Sequence, residues 1–204
     1  MHQGNATPAT FTGRVRFLHV ARRTPAVQPS LPETIDRRLY RIIHGLPHSA
    51  LGDRYVTILS DLGEGLGWVA AGAGMAWLGG RMGRRAGLSA AVASLGTTYL
   101  VQRMVKPVFR RKRPFVDRDV VVVGIRSMDA SFPSGHAASS FAAATAIAAF
   151  YPRSAPLVFA IATGVGISRI HLGHHFPSDV AVGAAIGVGT GSLAAWLLKS
   201  PKLL

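Results

Sequence analysis

Long runs of apolar and small residues without Asp, Glu, Lys or Arg dominate the chain from residue 65 onward. Five such runs cover 65–80, 86–102, 137–152, 154–168 and 180–198. A helix needs about 20 apolar residues to cross a bilayer, with about 17 as a lower limit. Some runs are slightly short, but uncharged residues at their edges can extend them. The pattern predicts an all-α, polytopic membrane helical bundle with about five transmembrane helices.

Two shorter amphipathic segments precede these runs. In the segment 33–46, the apolar residues share one helical face, whereas the arginines lie elsewhere; these apolar residues are Ile35, Leu39, Ile42, Ile43 and Leu46. This arrangement is typical of an interfacial helix lying on a membrane surface. A second interfacial helix is predicted over about 50–62. Residues 1–30 are rich in Pro, Thr, Ala and Arg and predict a poorly ordered basic tail, so that 31–200 forms the membrane-embedded domain.

The start of the chain has no continuous apolar stretch after its basic residues, so we expect no cleavable signal peptide. The first internal span would then direct insertion. Cysteine is absent, which excludes disulfides and thiolate chemistry.

The chain of 204 residues has 23 Lys and Arg against 9 Asp and Glu, a net charge of +14. Such an excess invites a nucleic-acid interpretation. The basic residues, however, concentrate in 1–54, in 103–118 and at span ends, with few aromatic residues beside them, and stacking platforms usually accompany nucleic-acid binding. Attraction to anionic membrane lipids explains the charge better, and we expect no nucleic-acid partner. The oligomeric state stays open.

The last run carries a regular spacing of small residues. Gly183, Gly187 and Gly191 recur every four positions, which lets helix backbones approach closely in lipid. The same spacing also arises by chance in an alanine-rich sequence, and both interpretations stay open.

Alternating crossings would place the segments 106–135 and 169–179 on one side of the membrane. The basic segment 81–85, predicted as the connection between the first two runs, would lie on the other side with Arg153 and the C-terminal lysines. The positive-inside rule assigns this second group to the cytoplasm. The segments 106–135 and 169–179 would therefore face outward, although their own basic residues weaken the assignment.

Two of the polar segments offer anion-binding groups. Lys106 and Arg113 follow the second run, where an ammonium and a planar guanidinium can bind phosphate oxygens. Ser134, Gly135 and His136 precede an alanine-rich run, where Ser is a favoured N-cap and the first helical amides can bind an anion. Basic residues at span ends also contact headgroups, and an ordinary capped helix start would explain Ser134 and Gly135 but not His136, so neither segment is decisive alone.

The third polar segment contains Arg169, His175 and Asp179. Pro177 suits the first helical turn, which would place His175 just before the helix and Asp179 within it. The carboxylate could then accept a proton from one imidazole nitrogen and leave the other nitrogen as a nucleophile. A zinc site is an alternative, with ligands drawn from His171, His174, His175 and Asp179. It would leave the other cations and the Pro-Ser-Gly-His segment unexplained.

Together these segments resemble the signature of the type 2 phosphatidic acid phosphatase superfamily, which includes bacterial undecaprenyl-diphosphate phosphatases, glucose-6-phosphatase and vanadium haloperoxidases. The signature reads Lys-x6-Arg-Pro, Pro-Ser-Gly-His and Ser-Arg-x5-His-x3-Asp. It matches at Lys106 with Arg113-Pro114, at 133–136, and at Ser168-Arg169 with His175 and Asp179. The similarity extends over roughly 33–198. Many lipid phosphatases of this family have six spans, against five here.

The resemblance implies a role for each matched position. His175 would attack phosphorus to give a phosphohistidine, Asp179 would orient it, and His136 would act as acid and then as base. The phosphoryl oxygens would be bound by Lys106, Arg113, Ser134, Gly135 and Arg169. The resemblance implies no metal or other cofactor, and it gives His171 and His174 no catalytic role.

With the five apolar runs, the resemblance implies a bacterial cell-membrane phosphatase that hydrolyses a prenyl phosphate or diphosphate, or a phosphatidate. Its site would face the extracytoplasmic side. A vanadate-dependent haloperoxidase is an alternative, but those enzymes are typically larger and soluble. A non-catalytic anion-binding or transport protein is another, although binding alone would not require a nucleophile and an acid.

Overall fold

A computed structural model of the chain describes residues 34–116, 120, 122–124 and 126–199. Within these ranges the secondary structure is helical, without strands. The seven α-helices are α1 (Ile35–His44), α2 (Ala50–Leu62), α3 (Leu66–Leu78), α4 (Gly80–Leu100), α5 (Gly135–Phe150), α6 (Ala155–His171) and α7 (Pro177–Lys199). A π-helical turn, Val101–Val105, extends α4, and a 3-10 turn, Pro152–Ser154, precedes α6. The predicted disordered tail, residues 1–30, lies outside the described ranges.

The five charge-free runs coincide with α3 to α7, and both predicted amphipathic helices form close to their predicted limits. One predicted boundary is wrong. The basic segment 81–85 is not a connection, because it lies inside α4. The chain turns earlier, at Gly79 and Gly80, and Gly80 has a φ of +60°, which a side chain would disfavour. Long arginine side chains can extend from a helix end toward water, so they do not require a break.

Hydroxyl side chains begin three of the helices. Thr34 caps α1 by accepting a hydrogen bond from the amide of Arg37 at 3.4 Å, and Ser49 caps α2 in the same way. Ser134 caps α5, as predicted, by accepting from the amide of Ala137. Each cap satisfies one amide that has no partner within its helix.

Small residues allow α7 to pack closely against α5. Gly183, Gly187 and Gly191 are all buried. A Cβ added at Gly187 would lie 2.3 Å from the carbonyl oxygen of Ala138, and one at Gly191 would lie 2.3 Å from that of Ala142. The four-residue spacing therefore marks a backbone contact, which decides between the two interpretations left open by the sequence.

The large apolar side chains lie mainly on the outer surface of the bundle. The interior is built largely of alanine, glycine and serine, whereas Trp77, Leu78, Leu157 and Trp196 are all more than 60% exposed. A soluble bundle of this size would bury such residues. The outer faces of these helices are suited to contact with lipid.

Only α7, among the described helices, is both long enough and apolar enough to cross a membrane by length and composition. Helix α3 is apolar but shorter. The 16 residues of α5 and 17 residues of α6 correspond to about 24–26 Å at 1.5 Å per residue. The predicted number of about five spans therefore stays a prediction.

Helix α1 turns its apolar face outward and anchors itself through the opposite side. Ile35 and Ile42 are 79% and 60% exposed, whereas Tyr40 is buried. The Tyr40 ring packs against Phe176, at 5.4 Å between ring centroids, in the connection before α7. This arrangement fits an interfacial helix attached to the end of the bundle.

Candidate active site

Two buried cations lie at the end of the bundle where α4 finishes. Lys106 and Arg113 are each 5% exposed, and both bind the carboxylate of Asp129. The Lys106 ammonium donates to Oδ2, and Nη2 of Arg113 donates to Oδ1 at 2.5 Å. We call Lys106 and Arg113 the cation pair. Sequence reasoning assigned this pair to an anion, and here the anion is a carboxylate from the same chain.

Asp129 is well suited to remain ionised in this position. Partial burial would raise its pKa, but hydrogen bonds from Lys106 and Ser127 and the charges of Lys106 and Arg113 outweigh that effect. The pKa of Asp129 therefore lies well below its ordinary value. Asp129 therefore supplies a negative charge that compensates the cation pair.

His175 lies between the cation pair and Asp179. Its Nε2 is 3.4 Å from Nη1 of Arg113, and its Nδ1 is 3.7 Å from Oδ2 of Asp179. A guanidinium can only donate, so Nε2 must be the acceptor and the proton of the neutral ring must reside on Nδ1. Burial lowers the pKa of His175 to about 3, against the opposing effect of Asp179. The ring is therefore neutral near pH 7, with its Nε2 lone pair directed toward Arg113.

Asp179 is fully buried and accepts hydrogen bonds from three other groups. The hydroxyl of Ser131 donates at 2.6 Å, the amide of Phe176 at 2.8 Å and Nη1 of Arg111 at 2.7 Å. The predicted hydrogen bond from His175 is not formed, because its Nδ1 lies 3.7 Å from Oδ2 of Asp179 and has no hydrogen-bond partner among the described residues. Contacts of this kind often tighten only when a ligand is bound.

The start of α5 contacts the backbone of Asp179. The amide of Ser134 donates to the carbonyl oxygen of Asp179 at 2.9 Å. Gly183, one turn further along α7, permits the approach, since a Cβ there would lie 2.5 Å from the carbonyl oxygen of Ser134. The N-terminus of α5, with Gly135 and His136, is thereby fixed beside the start of α7.

His136 and Arg169 line a cavity of about 320 Å³ together with Glu64 and His174. Nε2 of His136 is 3.6 Å from a carboxylate oxygen of Glu64. Arg169 donates from Nη1 to Ser60 at 2.8 Å, whereas its buried Nε has no hydrogen-bond partner among the described residues. A donor without a partner in a polar cavity is available to an anionic ligand.

The four residues considered for zinc do not surround one point. His171 turns toward Asp53 on α2, at 3.1 Å from its Nε2. Nε2 of His174 meets the carbonyl oxygen of Val123 at 2.9 Å, and burial with the nearby charge of Arg169 lowers the pKa of His174 to about 4. His175 and Asp179 alone remain together, so this zinc hypothesis lacks the ligands it requires.

Sequence reasoning missed several polar residues that complete the site. Arg111 bridges two carboxylates, since its Nη2 donates to Asp36 on α1 at 2.7 Å while its Nη1 reaches Asp179. Asp36 in turn accepts from the amide and the hydroxyl of Ser178. Asp129 was also missed, as was Ser131. Arg111 belongs to the basic segment 103–118, but nothing in the sequence indicated that it binds Asp36 and Asp179, which are distant from it along the chain.

Comparison with known proteins identifies the family. The profile of the PAP2 superfamily matches residues 87–201. The decaprenylphosphoryl-5-phosphoribose phosphatase of Mycobacterium tuberculosis is 36% identical over 96 residues, 47% of this chain and 52% of that protein. The chain thus spans about half the length of this curated relative.

Two crystal structures resemble the fold over most of the chain. LpxE from Aquifex aeolicus has a TM-score of 0.65 and 26% identity, covering 80% of this chain and 96% of LpxE. A transmembrane PAP2-type phosphatidylglycerolphosphate phosphatase from Bacillus subtilis has a TM-score of 0.58 and 25% identity, covering 80% and 82% of the two chains.

Proposed function

The chain belongs to the PAP2 superfamily, and from this premise we propose that it is an integral-membrane phosphatase acting on a lipid-linked phosphate or diphosphate through a phosphohistidine. The observation that carries the proposal is the state of His175. Its neutral ring directs an Nε2 lone pair toward the buried guanidinium of Arg113, with the Nδ1 proton toward a buried carboxylate. This is the arrangement that an imidazole nucleophile requires.

In the proposed first step, Nε2 of His175 attacks phosphorus and the bond from phosphorus to the leaving oxygen breaks with its electron pair. His136 enters this step as an imidazolium, donates a proton to that oxygen and becomes neutral. The imidazole gains positive charge as the bond forms, and Asp179 stabilises it through the Nδ1 proton. In the second step, water attacks phosphorus and gives a proton to His136, and the phosphorus–nitrogen bond returns its electrons to Nε2. These steps require no metal.

The surrounding donors would bind the phosphoryl oxygens. Lys106 and Arg113 already bind carboxylate oxygens, so a phosphoryl group would compete with Asp129 for the same donors. The buried Nε of Arg169 and the first amides of α5 after Ser134 supply further donors. Donors fixed before the reaction stabilise the charge that develops in the transition state.

A membrane location follows from the apolar outer faces and the family, and we propose that α3 to α7 cross the membrane with the site outside. The candidate residues lie where α4 and α6 end and α5 and α7 begin. The opposite end of the bundle carries Arg81, Arg84, Arg85, Arg153 and Lys199. The positive-inside rule assigns that basic end to the cytoplasm. Reporter fusions after residue 83 and after residue 120 should report opposite sides, and equal signals would contradict the topology.

A cationic site at the end of an apolar bundle supports the proposed substrate class. A prenyl or acyl chain could stay in the bilayer while its headgroup reaches the site. The mycobacterial relative is named for a decaprenylphosphoryl substrate and the Bacillus structure for phosphatidylglycerolphosphate. Both names combine a lipid with a phosphate, which is the class proposed here.

The test is phosphate release by the full chain, purified in detergent, from prenyl diphosphate, prenyl monophosphate and phosphatidate. His175→Gln should abolish release, whereas His19→Gln, which changes an imidazole outside the signature, should keep most of it. Brief incubation with a radiolabelled substrate should label the wild type with an acid-labile, alkali-stable phosphate, as expected for phosphohistidine. Undiminished turnover by His175→Gln would refute the mechanism.

A further inference from the structure

A second cluster of ligand-type side chains joins the N-terminal helices to the end of α6. It consists of His48, in the connection between α1 and α2, Asp53 in the first turn of α2, and His171, the last residue of α6. Their ligand atoms lie within 4.8 Å of one another. The side chains are 11–23% exposed, so the cluster is mostly shielded from water. None of these residues has a role in the proposed hydrolysis.

Each imidazole of the cluster lies between two acceptors. Nδ1 of His48 is 3.0 Å from Oδ1 of Asp53, while its Nε2 is 3.0 Å from the carbonyl oxygen of His44. Nε2 of His171 is 3.1 Å from the same Oδ1, while its Nδ1 is 3.4 Å from the carbonyl oxygen of Ile43. A neutral imidazole carries only one N–H, so it can satisfy only one of its two acceptors.

If each of the two imidazoles bound a second proton, both of its acceptors would be satisfied, but the two rings would then repel each other. Both rings would then be cations, stacked with their centroids 4.3 Å apart, with a single carboxylate, that of Asp53, between them. Like charges at this separation repel. One divalent cation removes the difficulty, because it attracts both nitrogen lone pairs and the carboxylate at once.

The hydrogen bonds of the other two ring nitrogens, to backbone carbonyls, also fit a bound divalent cation. Histidine ligands commonly donate their second N–H to a backbone carbonyl, which fixes the tautomer. The carbonyl oxygens of His44 and Ile43 are placed for this, leaving Nδ1 of His48 and Nε2 of His171 as the ligand atoms. In a tetrahedral zinc site with bonds of about 2.0–2.2 Å, ligand atoms lie about 3.3–3.6 Å apart. The contacts to Asp53, at 3.0 and 3.1 Å, are already close to this spacing. Because the two rings are stacked with 17° between their planes, binding of one ion also requires them to rotate until both in-plane lone pairs point at it.

We propose that His48, Asp53 and His171 bind a zinc ion that fastens the α1–α2 connection to the end of α6. Two imidazoles and a carboxylate suit zinc, whereas a magnesium ion prefers oxygen ligands. A water molecule would complete four-fold coordination. The ion is structural, and it is distinct from the proposed phosphatase chemistry at His175.

The test is metal content and thermal stability of the full chain, purified in detergent with an affinity tag that contains no histidine. The wild type should retain about one equivalent of zinc by elemental analysis, as one three-ligand site predicts. His48→Gln and Asp53→Asn should each lose it, whereas the control His19→Gln should not. After chelation, zinc at about 100 times its Kd should raise the Tm by about 5–10 °C, and magnesium should not.

Two results would overturn the proposal. One is a wild type that binds no zinc and shows no change in Tm. The other is equal zinc in the wild type and in folded His48→Gln and Asp53→Asn variants, which would mean an adventitious ion only. Neither readout depends on turnover, so a failed phosphatase assay would leave this test intact. A variant that fails to fold leaves the wild-type titration as the deciding measurement.

Discussion

The contact between α5 and α7 can be tested with two alanine substitutions on one helix. Gly187 is buried against α5, and a Cβ there would lie 2.3 Å from the carbonyl oxygen of Ala138 and 2.9 Å from the amide nitrogen of Ala142. Gly189, two residues later, has no atom within 4 Å of the same position. Gly187→Ala and Gly189→Ala therefore add the same methyl group to the same helix, one into backbone and the other into open space.

The two substitutions should change the free energy of unfolding in opposite directions. Alanine is favoured over glycine in a helix interior by about 1 kcal/mol, and Gly189→Ala should gain up to that amount. Gly187→Ala gains the same, but backbone atoms at 2.3 Å cannot move aside without separating the helices. Overpacking of this kind costs about 1–3 kcal/mol and more where backbone must move. We expect a net loss of about 1–2 kcal/mol.

Thermal unfolding in one detergent should reveal the difference. For a chain of this size, 1 kcal/mol shifts the Tm by about 2–4 °C. Gly189→Ala should raise the Tm by a few degrees, and Gly187→Ala should lower it by about 2–8 °C. Activity should follow, because α5 and α7 carry opposite walls of the candidate site and a 1 Å displacement can cost about 100-fold in rate. Equal increases in Tm for both variants would refute the close packing.

Further substitutions test the charges of the site. Asp129→Asn should bring about tenfold tighter inhibition by phosphate or vanadate, since one competing charge leaves the cation pair; weaker inhibition would contradict this. Arg111→Lys should lower kcat about 10- to 100-fold by releasing Asp179, whereas Arg110→Lys, an exposed neighbour, should not, and equal effects would refute the bridge. The pKa of His174 is about 6.5 in the unfolded chain and about 4 in the folded protein. Between these pH values the unfolded chain is protonated at His174 and the folded protein is not, so the free energy of unfolding falls as the pH is lowered from 6.5 to 4. His174→Gln should reduce this loss of unfolding free energy by up to about 3 kcal/mol. The same dependence of Tm on pH in the variant and the wild type would contradict the prediction.

The sequence was most informative where one local pattern determines one structure. Charge-free runs predicted the positions of α3 to α7, because an uninterrupted apolar segment has few alternatives to a helix. Ser134 and Pro177 predicted two helix starts for equally local reasons, a capping hydroxyl and a fixed φ angle. The turn at Gly80 was missed because the basic residues after it suggested a connection, although arginines are compatible with a helix.

Contacts between distant segments could not be predicted in the same way. The signature predicted that Lys106 and Arg113 would bind an anion, but not that Asp129 would supply one. Asp129 is one of three acidic residues in the long segment 106–135, and nothing in their spacing distinguishes it from the others. Its selection depends on the position of the irregular residues 126–134, which have no periodicity from which to infer direction.

The N-terminal helices show how far the site extends beyond the part of the chain that the family profile matches. That match begins at residue 87, yet Asp36 on α1 binds Arg111, which in turn binds Asp179. Ser60 on α2 similarly binds Arg169. Fixing a buried carboxylate requires partners that are themselves fixed, and α1 supplies one from the opposite end of the sequence. An amphipathic helix that sequence reasoning assigned only to the membrane surface therefore also orients the residue on which the proposed nucleophile depends.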